Sequence, residues 1–374
     1  MPCRVVHLTS VHPPFDTRIF HKECKSLAMA GYDVTLIAPH SEGDLVRDGV
    51  KLRAVTPPRD RRERLMHTVP QVYRAAVREN AEIYHFHDPE LLPMSVLLRM
   101  RGKKVIYDVH EDYSGTMSGK KWLPVALHGP AAIAVRVCEA VFSAACNRVI
   151  AVTPKIAGKF RPGKTRVVQN FPWTHELRCS ESLPYEKRDP VVVYVGGLAD
   201  LRGLREMTQA IHLVAKKMPA RLLIGGQVRS GAKAEFGGGG ENGVVEYLGQ
   251  LSRPQVAALL ARARVGLVLH HPHGNYLHGQ PTKVFEYMSA GLPVLASDFP
   301  VCRRVIEPAA CGLLIDPLNP EAIAEALVWL LRNPSQAAEM GRNGQRAVAE
   351  TYNWESESQR LMDTYAELQP AGRG

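Results

Sequence analysis

Short apolar runs rich in β-branched residues alternate with longer stretches of helical period along the chain. In the first half, strand-like runs fall at 4–8, 33–38, 50–54, 83–87, 104–109, 148–152 and 166–169. In the second half they fall at 191–195, 221–225, 244–248, 265–269, 293–296 and 312–315. Helical segments lie between them, one over 17–30 that stops at Gly31 and another over 62–79. Asn319-Pro320-Glu321 opens a further helix with an Asn cap, Pro in the first turn and an acid near the positive end of the dipole. Strand–helix alternation of this kind predicts doubly wound α/β layers.

The period lapses over 171–190, where three prolines and mixed charge predict a linker. It divides a domain of residues 1–170 from one of 191–352, and 353–374 forms a terminal helix. The four glycines 237–240 read as a flexible loop. After the first strand the chain runs Thr9-Ser10-Val11-His12-Pro13-Pro14, without the GxGxxG of a dinucleotide fold, and no GxxxxGK[ST] is present. A nicotinamide dehydrogenase and a P-loop NTPase are thereby disfavoured.

Length and composition sharpen this picture. The 374 residues suit two globular domains. The net charge of +10 lies wholly in residues 1–170, with 26 Lys and Arg against 16 Asp and Glu; residues 171–374 hold 21 of each. A basic first half suits phosphorylated substrates, an anionic membrane or simply a solvated face. The basic residues Arg59, Arg61, Arg62, Arg64, Arg74, Arg78, Arg99, Arg101, Lys103, Lys104, Lys120 and Lys121 carry much of the excess. Few aromatics interleave them and no nucleic-acid module is present, so lipid docking or solvation is expected rather than nucleic acid.

Seven cysteines without a CxxC pair read as reduced thiols of a cytosolic protein. The N-terminus has no signal-peptide pattern. No uninterrupted apolar run reaches the roughly 18 residues of a membrane span. The longest candidate, Val125–Ala145, is broken by His128, Gly129, Pro130, Arg136 and Glu139. A cytoplasmic protein, at most peripheral at the membrane, is expected.

Two stretches carry candidate chemistry. The first, 270–298, leaves a strand, crosses a polar loop and enters a short helix near Thr282. A helix N-terminus at the C-terminal edge of a parallel sheet attracts phosphate, and Lys283 adds a charge. Glu286, one turn on, suits a ribose diol; a helix cap with surface Lys and Glu gives the same letters. The second, 191–203, ends a strand at Gly196-Gly197 and places Arg202-Gly203 at the next helix. Together they describe a diphosphate clamp. His85-x-His87-Asp88 and the group His270, His271, His273 and His278 invite a metal reading, but no Cys or carboxylate completes either set in sequence, so no metal is expected.

The chain resembles the family 4 retaining glycosyltransferases of the GT-B fold over nearly its whole length. The likeness rests on HLTSVHPPFDTRIFHKECKSLAMAGYDVTLIAP, YHFHDPELLP, VIYDVHEDY, PTKVFEYMSAGLPVLASD and YNWESESQRLMDTYAEL. It implies two Rossmann-like domains facing across a cleft, an N-terminal acceptor domain, a C-terminal donor domain and a last helix returning to the first domain. It implies metal-independent, retaining transfer of a sugar from a nucleotide-diphosphate sugar, UDP first, to a hydroxyl acceptor such as a glycan, lipid-linked intermediate or small metabolite, with no cofactor.

Site roles follow from the same likeness. His110 would act beside the donor sugar; Arg202 and Lys283 would hold the diphosphate, with Gly196, Gly197, Gly279, Pro281 and Thr282 around it; Glu286 would hold the ribose. The family's first signature glutamate falls at His278, and Gly197 stands where an arginine is common. Asp16 would act with His110, Arg202 and Lys283 in catalysis, near donor and acceptor, and Arg18 and His12 would line the acceptor side; a helix-capping Asp and a surface Arg suit the same letters equally. The rival functions are a nucleotide-sugar epimerase or hydrolase on the same scaffold and a two-lobed binding protein.

Overall fold

The computed structural model describes residues 2–115, 124–177, 183–228, 243–277 and 279–369. It divides into two compact units, Met1–Asn170 with Ser356–Gly374, and Phe171–Glu355.

Unit 1 is an eight-stranded sheet of β1 (Arg4–Leu8), β2 (Asp33–Pro39), β3 (Leu45–Arg47), β4 (Val50–Val55), β5 (Ile83–Phe86), β6 (Lys104–Val109), β7 (Arg148–Ala151) and β8 (Thr165–Val167). The strand order is β3-β4-β2-β1-β5-β6-β7-β8, parallel except where β3 pairs antiparallel with β4. Side chains alternate across the sheet. Val6, Leu8, Tyr84, Phe86, Val105, Tyr107 and Val109 therefore join one apolar core. On the other face, His7, His85 and Asp108 meet Arg18, Glu23 and Tyr365, all buried. The chain reaches that face through the π-type turn Ile19–Cys24, which runs into the helix Lys25–Met29. From Ser356 onward the helix Trp354–Ala366 belongs to this unit. Its Tyr365 hydroxyl lies 2.7 Å from His85 Nδ1 and 3.1 Å from His7 Nε2.

Unit 2 is an all-parallel sheet of β9 (Val191–Val195), β10 (Arg221–Gly225), β11 (Val245–Tyr247), β12 (Val265–Val268), β13 (Val294–Ser297) and β14 (Gly312–Ile315), ordered β11-β10-β9-β12-β13-β14. Here both faces are apolar: Val192 and Tyr194 enter one core, Val191 and Val193 the other. Helices cover both sides, as an all-parallel sheet requires.

Two expectations need correction. The described parts of the expected linker, 171–177 and 183–190, are packed: Phe171 and Leu177 are buried in one core of unit 2 and Tyr185 in the other. Aromatic and aliphatic anchors spaced among the prolines hold an irregular backbone in place. The stretch Val125–Ala145 is, by length and composition, long and apolar enough to cross a membrane, with a mean hydropathy of 1.5. Its polar interruptions are too few and too weak to break the helix.

Candidate functional site

In an open α/β sheet, ligands bind beyond the strand C-termini where the strand order reverses. That point lies between β9 and β12 in unit 2 and between β1 and β5 in unit 1. Both collect the residues of chemical interest.

In unit 2, β9 runs into Gly196-Gly197 and the neighbouring β10 into Gly226. Gly196 has φ 146° and Gly226 φ 143°. A Cβ on Gly226 would strike the Gly196 carbonyl, so the two turns approach as closely as hydrogens allow. A Cβ on Gly196 would collide with the end of Lys283, its Nζ only 2.6 Å away. The lysine therefore lies across bare backbone, with Nζ 5.3 Å from the Tyr194 ring centre. Lys283 belongs to the first turn of the helix Thr282–Ser289, preceded by an extended Pro281 that offers no capping side chain. The first N–H groups of that helix point toward the sheet edge with the positive end of its dipole.

A cavity of about 270 Å³ lies here. Gly196 and Gly197 line it from β9, Gly225 to Gln227 from β10, Gln250 and Leu251 from the loop after β11, and Thr282, Lys283 and Glu286 from the helix. Arg253 completes the wall. Its Nη1 donates to Glu286 Oε1 at 2.8 Å and its Nε to Glu176 Oε1 at 2.7 Å. Burial opposes the Arg253 charge, but Glu286 and Glu176 outweigh it and raise its pKa.

Arg202 is not part of the cavity lining. It donates to the Gly197 carbonyl at 3.0 Å and reaches the Tyr276 hydroxyl at 3.3 Å. It is still close enough to act on His270, whose pKa is pushed down to about 3 by burial and then by the charges of Lys283 and Arg202. Gly279 and Pro281 precede the helix outside the lining, and His278 lies outside the described residues.

In unit 1 the polar face of the sheet surfaces at His110. His110 Nε2 lies 2.8 Å from Asp108 Oδ2 and 3.1 Å from His87 Nδ1. His87 Nε2 in turn lies 2.9 Å from His7 Nδ1, which extends the chain of rings inward. Asp108 is fully buried. Burial would raise its pKa, but Arg18, then His110 and His87, hold it well below the usual carboxylate range. Burial is the main cause that lowers His87, to about 4, so this ring is neutral near pH 7.

Around the rim, Asp88 Oδ2 accepts from the Thr9 hydroxyl at 2.8 Å and the Ser10 N–H at 2.6 Å. His12 sits 3.5 Å from Asp88 and 3.6 Å from Asp16. Burial disfavours the His12 cation, yet Asp16 and Asp88 outweigh it and raise its pKa. Asp16 also accepts from the backbone N–H groups of Arg18 and Ile19, capping the turn that follows.

Arg18 departs from expectation. It is buried, not on the acceptor side, and grips Asp108 with two bonds of 2.9 and 3.0 Å while its Nε lies 2.9 Å from Glu23 Oε1. One guanidinium lies between two carboxylates, although Arg18 Nη1 and both Glu23 oxygens remain without a hydrogen-bond partner. The carboxylate it grips is the one that His110 meets at 2.8 Å.

The expectation that no carboxylate completes the histidine set also falls. His7, Glu23, His85 and His87 offer ligand atoms within 4.8 Å of one another, as do His87, Asp108 and His110. Glu23 comes from the π-type turn, out of sequence reach of the strands. As placed, His7 and His87 are hydrogen-bonded at 2.9 Å. That is closer than the roughly 3.3 Å between ligands around a tetrahedral zinc with bonds of about 2.0–2.1 Å. Of the second histidine group, His271 pairs with Glu206 at 3.0 Å and His270 packs on Tyr276; the described residues form no metal set there.

Comparison with known proteins gives the family. The model for Glycosyltransferase Family 4 matches residues 17–171, and that for Glycosyl transferases group 1 matches residues 189–333. The chain belongs to the family 4 glycosyltransferases. The chain is 28% identical over 234 residues to D-inositol 3-phosphate glycosyltransferase of Corynebacterium urealyticum, covering 59% of this chain and 51% of that protein. It is 25% identical over 186 residues to a GDP-mannose-dependent monoacylated phosphatidylinositol monomannoside mannosyltransferase of Corynebacterium glutamicum, covering 49% of each. The chain spans about half the length of these curated relatives.

Two solved structures establish the GT-B fold. Sucrose-phosphate synthase from Thermosynechococcus elongatus superposes with a TM-score of 0.72 at 19% identity, covering 98% of this chain and 99% of that one. Anabaena HepE, solved with UDP and glucose, gives 0.71 at 14% identity, covering 98% and 100%. The unit 2 cavity gathers Lys283, Glu286 and the glycine turn that the sequence pattern singles out, together with Arg253, which it does not; Glu176 and Tyr276, equally unmarked, bind Arg253 and Arg202. The Ser252/Gln255 capping pair marks the helix that Arg253 opens; nothing local ties that arginine to Glu286.

Proposed function

We propose that the protein transfers a sugar, with retention at the anomeric carbon and without a metal, from a nucleotide-diphosphate sugar to a hydroxyl acceptor. The observation that carries this reading is the unit 2 cavity, where two glycine turns, a helix N-terminus, Lys283 and Glu286 converge. UDP is the favoured nucleotide. Lys283 and the helix N-terminus stabilise the departing diphosphate, where negative charge grows as the glycosidic bond breaks. Arg202 adds its charge from beside the turn. Glu286, aligned by Arg253, accepts hydrogen bonds from the ribose diol.

In this reading the acceptor hydroxyl attacks from the leaving-group face and the diphosphate takes its proton. The His110, Asp108 and His12 edge of unit 1 serves the acceptor side, with His110 held in orientation by Asp108 and His87. The acceptor class is a glycan, lipid-linked intermediate or small metabolite.

A thermal-shift panel of UDP, GDP, ADP and dTDP tests the site. A nucleotide that binds raises the melting temperature through linkage. Lys283→Ala should abolish the rise. Glu286→Gln should narrow the preference for UDP over its 2′-deoxy analogue. Equal shifts in wild type and both variants would sink the assignment. Donor cleavage that proceeds equally fast without any acceptor would move the protein to the hydrolases.

A further inference from the structure

The helical stretch Val125–Ala145 is built inside out. Only 6% of its most apolar window is buried. The two buried residues of the helix His128–Ala145 are polar, Glu139 and Ser143, one turn apart on a single face. Glu139 accepts from the Tyr107 hydroxyl at 3.0 Å. On the opposite side Ile133, Val137 and Val141 are 66%, 54% and 60% exposed, with Val125 and Leu127 exposed before them. A helix that serves a soluble core turns these faces the other way.

The neighbouring helix Pro93–Met100, whose Ser95 hydroxyl donates to the Phe142 carbonyl at 3.4 Å, exposes apolar residues as well. Val96, Leu97 and Met100 are exposed there. Contiguous patches of this kind mark interaction sites.

Charge selects the occupant. Residues 93–164 hold 12 Lys and Arg against 4 Asp and Glu, which is +8 of the chain's +10. Two of those four carboxylates, Asp108 and Glu139, are buried, and Asp112 is paired with Lys159. A second copy would bring like charge against like. An anionic bilayer matches both the apolar stripe and the cations.

The C-terminal half of the helix is also tied to unit 1. Lys164 Nζ donates to the carbonyls of Ala144 and Cys146 at 2.8 and 3.0 Å, and β7 starts at Arg148. Together with the Tyr107–Glu139 bond, these ties keep it lying on unit 1 rather than crossing a membrane. We propose that the exposed faces of Val125–Ala145 and Pro93–Met100 dock unit 1 in the headgroup–acyl boundary of an anionic membrane. The proposal stands independently of sugar transfer.

The test is sedimentation of the full chain with vesicles of phosphatidylcholine alone and of phosphatidylcholine with phosphatidylglycerol. Wild type should partition onto the anionic vesicles and be released by salt. Ile133→Asp with Val137→Asp should weaken that partition about tenfold, at unchanged melting temperature and unchanged nucleotide shift. A polarity-sensitive dye on the exposed Cys138 should shift to the blue on the same vesicles. Equal binding by the double variant would overturn the proposal. So would a wild-type dimer that the double variant converts to monomer, because the face would then be a contact between copies.

Discussion

Gly196→Ala tests the donor clamp at its most constrained point. The new methyl would occupy the space held by the Cε and Nζ of Lys283. Those atoms are the far end of a flexible side chain, so the lysine moves and the sheet does not. The fold pays only for the φ of 146°, a strained conformation for alanine that costs about 1–3 kcal/mol. Displacing the ammonium from a bound diphosphate removes a hydrogen bond to a charged group, about 1.5–3 kcal/mol. In affinity for UDP this is a loss of roughly 10- to 150-fold. Lys283→Ala should lose the same amount, and the double variant no more than either single change, because both remove one contact. Isothermal titration with UDP on the three variants reads the cycle. Wild-type affinity in Gly196→Ala, or losses that add in the double variant, would refute the placement of Lys283 on the phosphates.

Other consequences follow from unit 1 and its polar face. Arg18→Met leaves Asp108 and Glu23 buried without their cation and should cost about 3–5 kcal/mol, read as a lower urea midpoint; an unchanged midpoint would show the pair to be dispensable. Burial depresses His7 and His85 well below their usual value, His87 to about 4 and His270 to about 3. The folded chain then holds fewer protons than the unfolded chain below about pH 6.5. The contribution of these histidines is full above that pH and falls on acidification toward 4, by about 1.4 kcal/mol per pH unit for each uncompensated proton. Glu23, raised by burial and by Asp108, works with the opposite sign above about pH 4.5 and offsets one histidine. Urea midpoints at pH 7 and pH 5 check the net fall, and an equal or higher midpoint at pH 5 would contradict it. Incubation with a chelator should leave both melting temperature and transfer rate unchanged; a drop in melting temperature would point to an ion among His7, Glu23, His85 and His87.

The strand pattern was legible because unit 2 is an all-parallel sheet with apolar residues on both faces, and buried strands of that kind read as short aliphatic runs. β3 was not legible: Leu45–Arg47 is a three-residue edge strand with half-exposed side chains and no apolar run. The glycine turn and the helix start at Thr282 were visible because close backbone approach and helix initiation are local demands on sequence. The burial of Arg18 was not legible, because Asp-x-Arg looks the same whether the guanidinium lines an acceptor site, meets water or grips a carboxylate 90 residues away.

By itself, then, the sequence determined the two α/β repeats, the charge imbalance and the local chemistry of the glycine turn. Those properties depend on near neighbours and on period. Only tertiary structure decided that Glu23 joins three histidines, that Arg253 aligns Glu286, that Phe171, Leu177 and Tyr185 are packed into unit 2, and that the helix after residue 124 turns its apolar face outward. Each of these is a pairing of distant segments or a choice of helix face. Local pattern leaves such choices open, because the same stripe can face a core or a bilayer until the partner surface is in place.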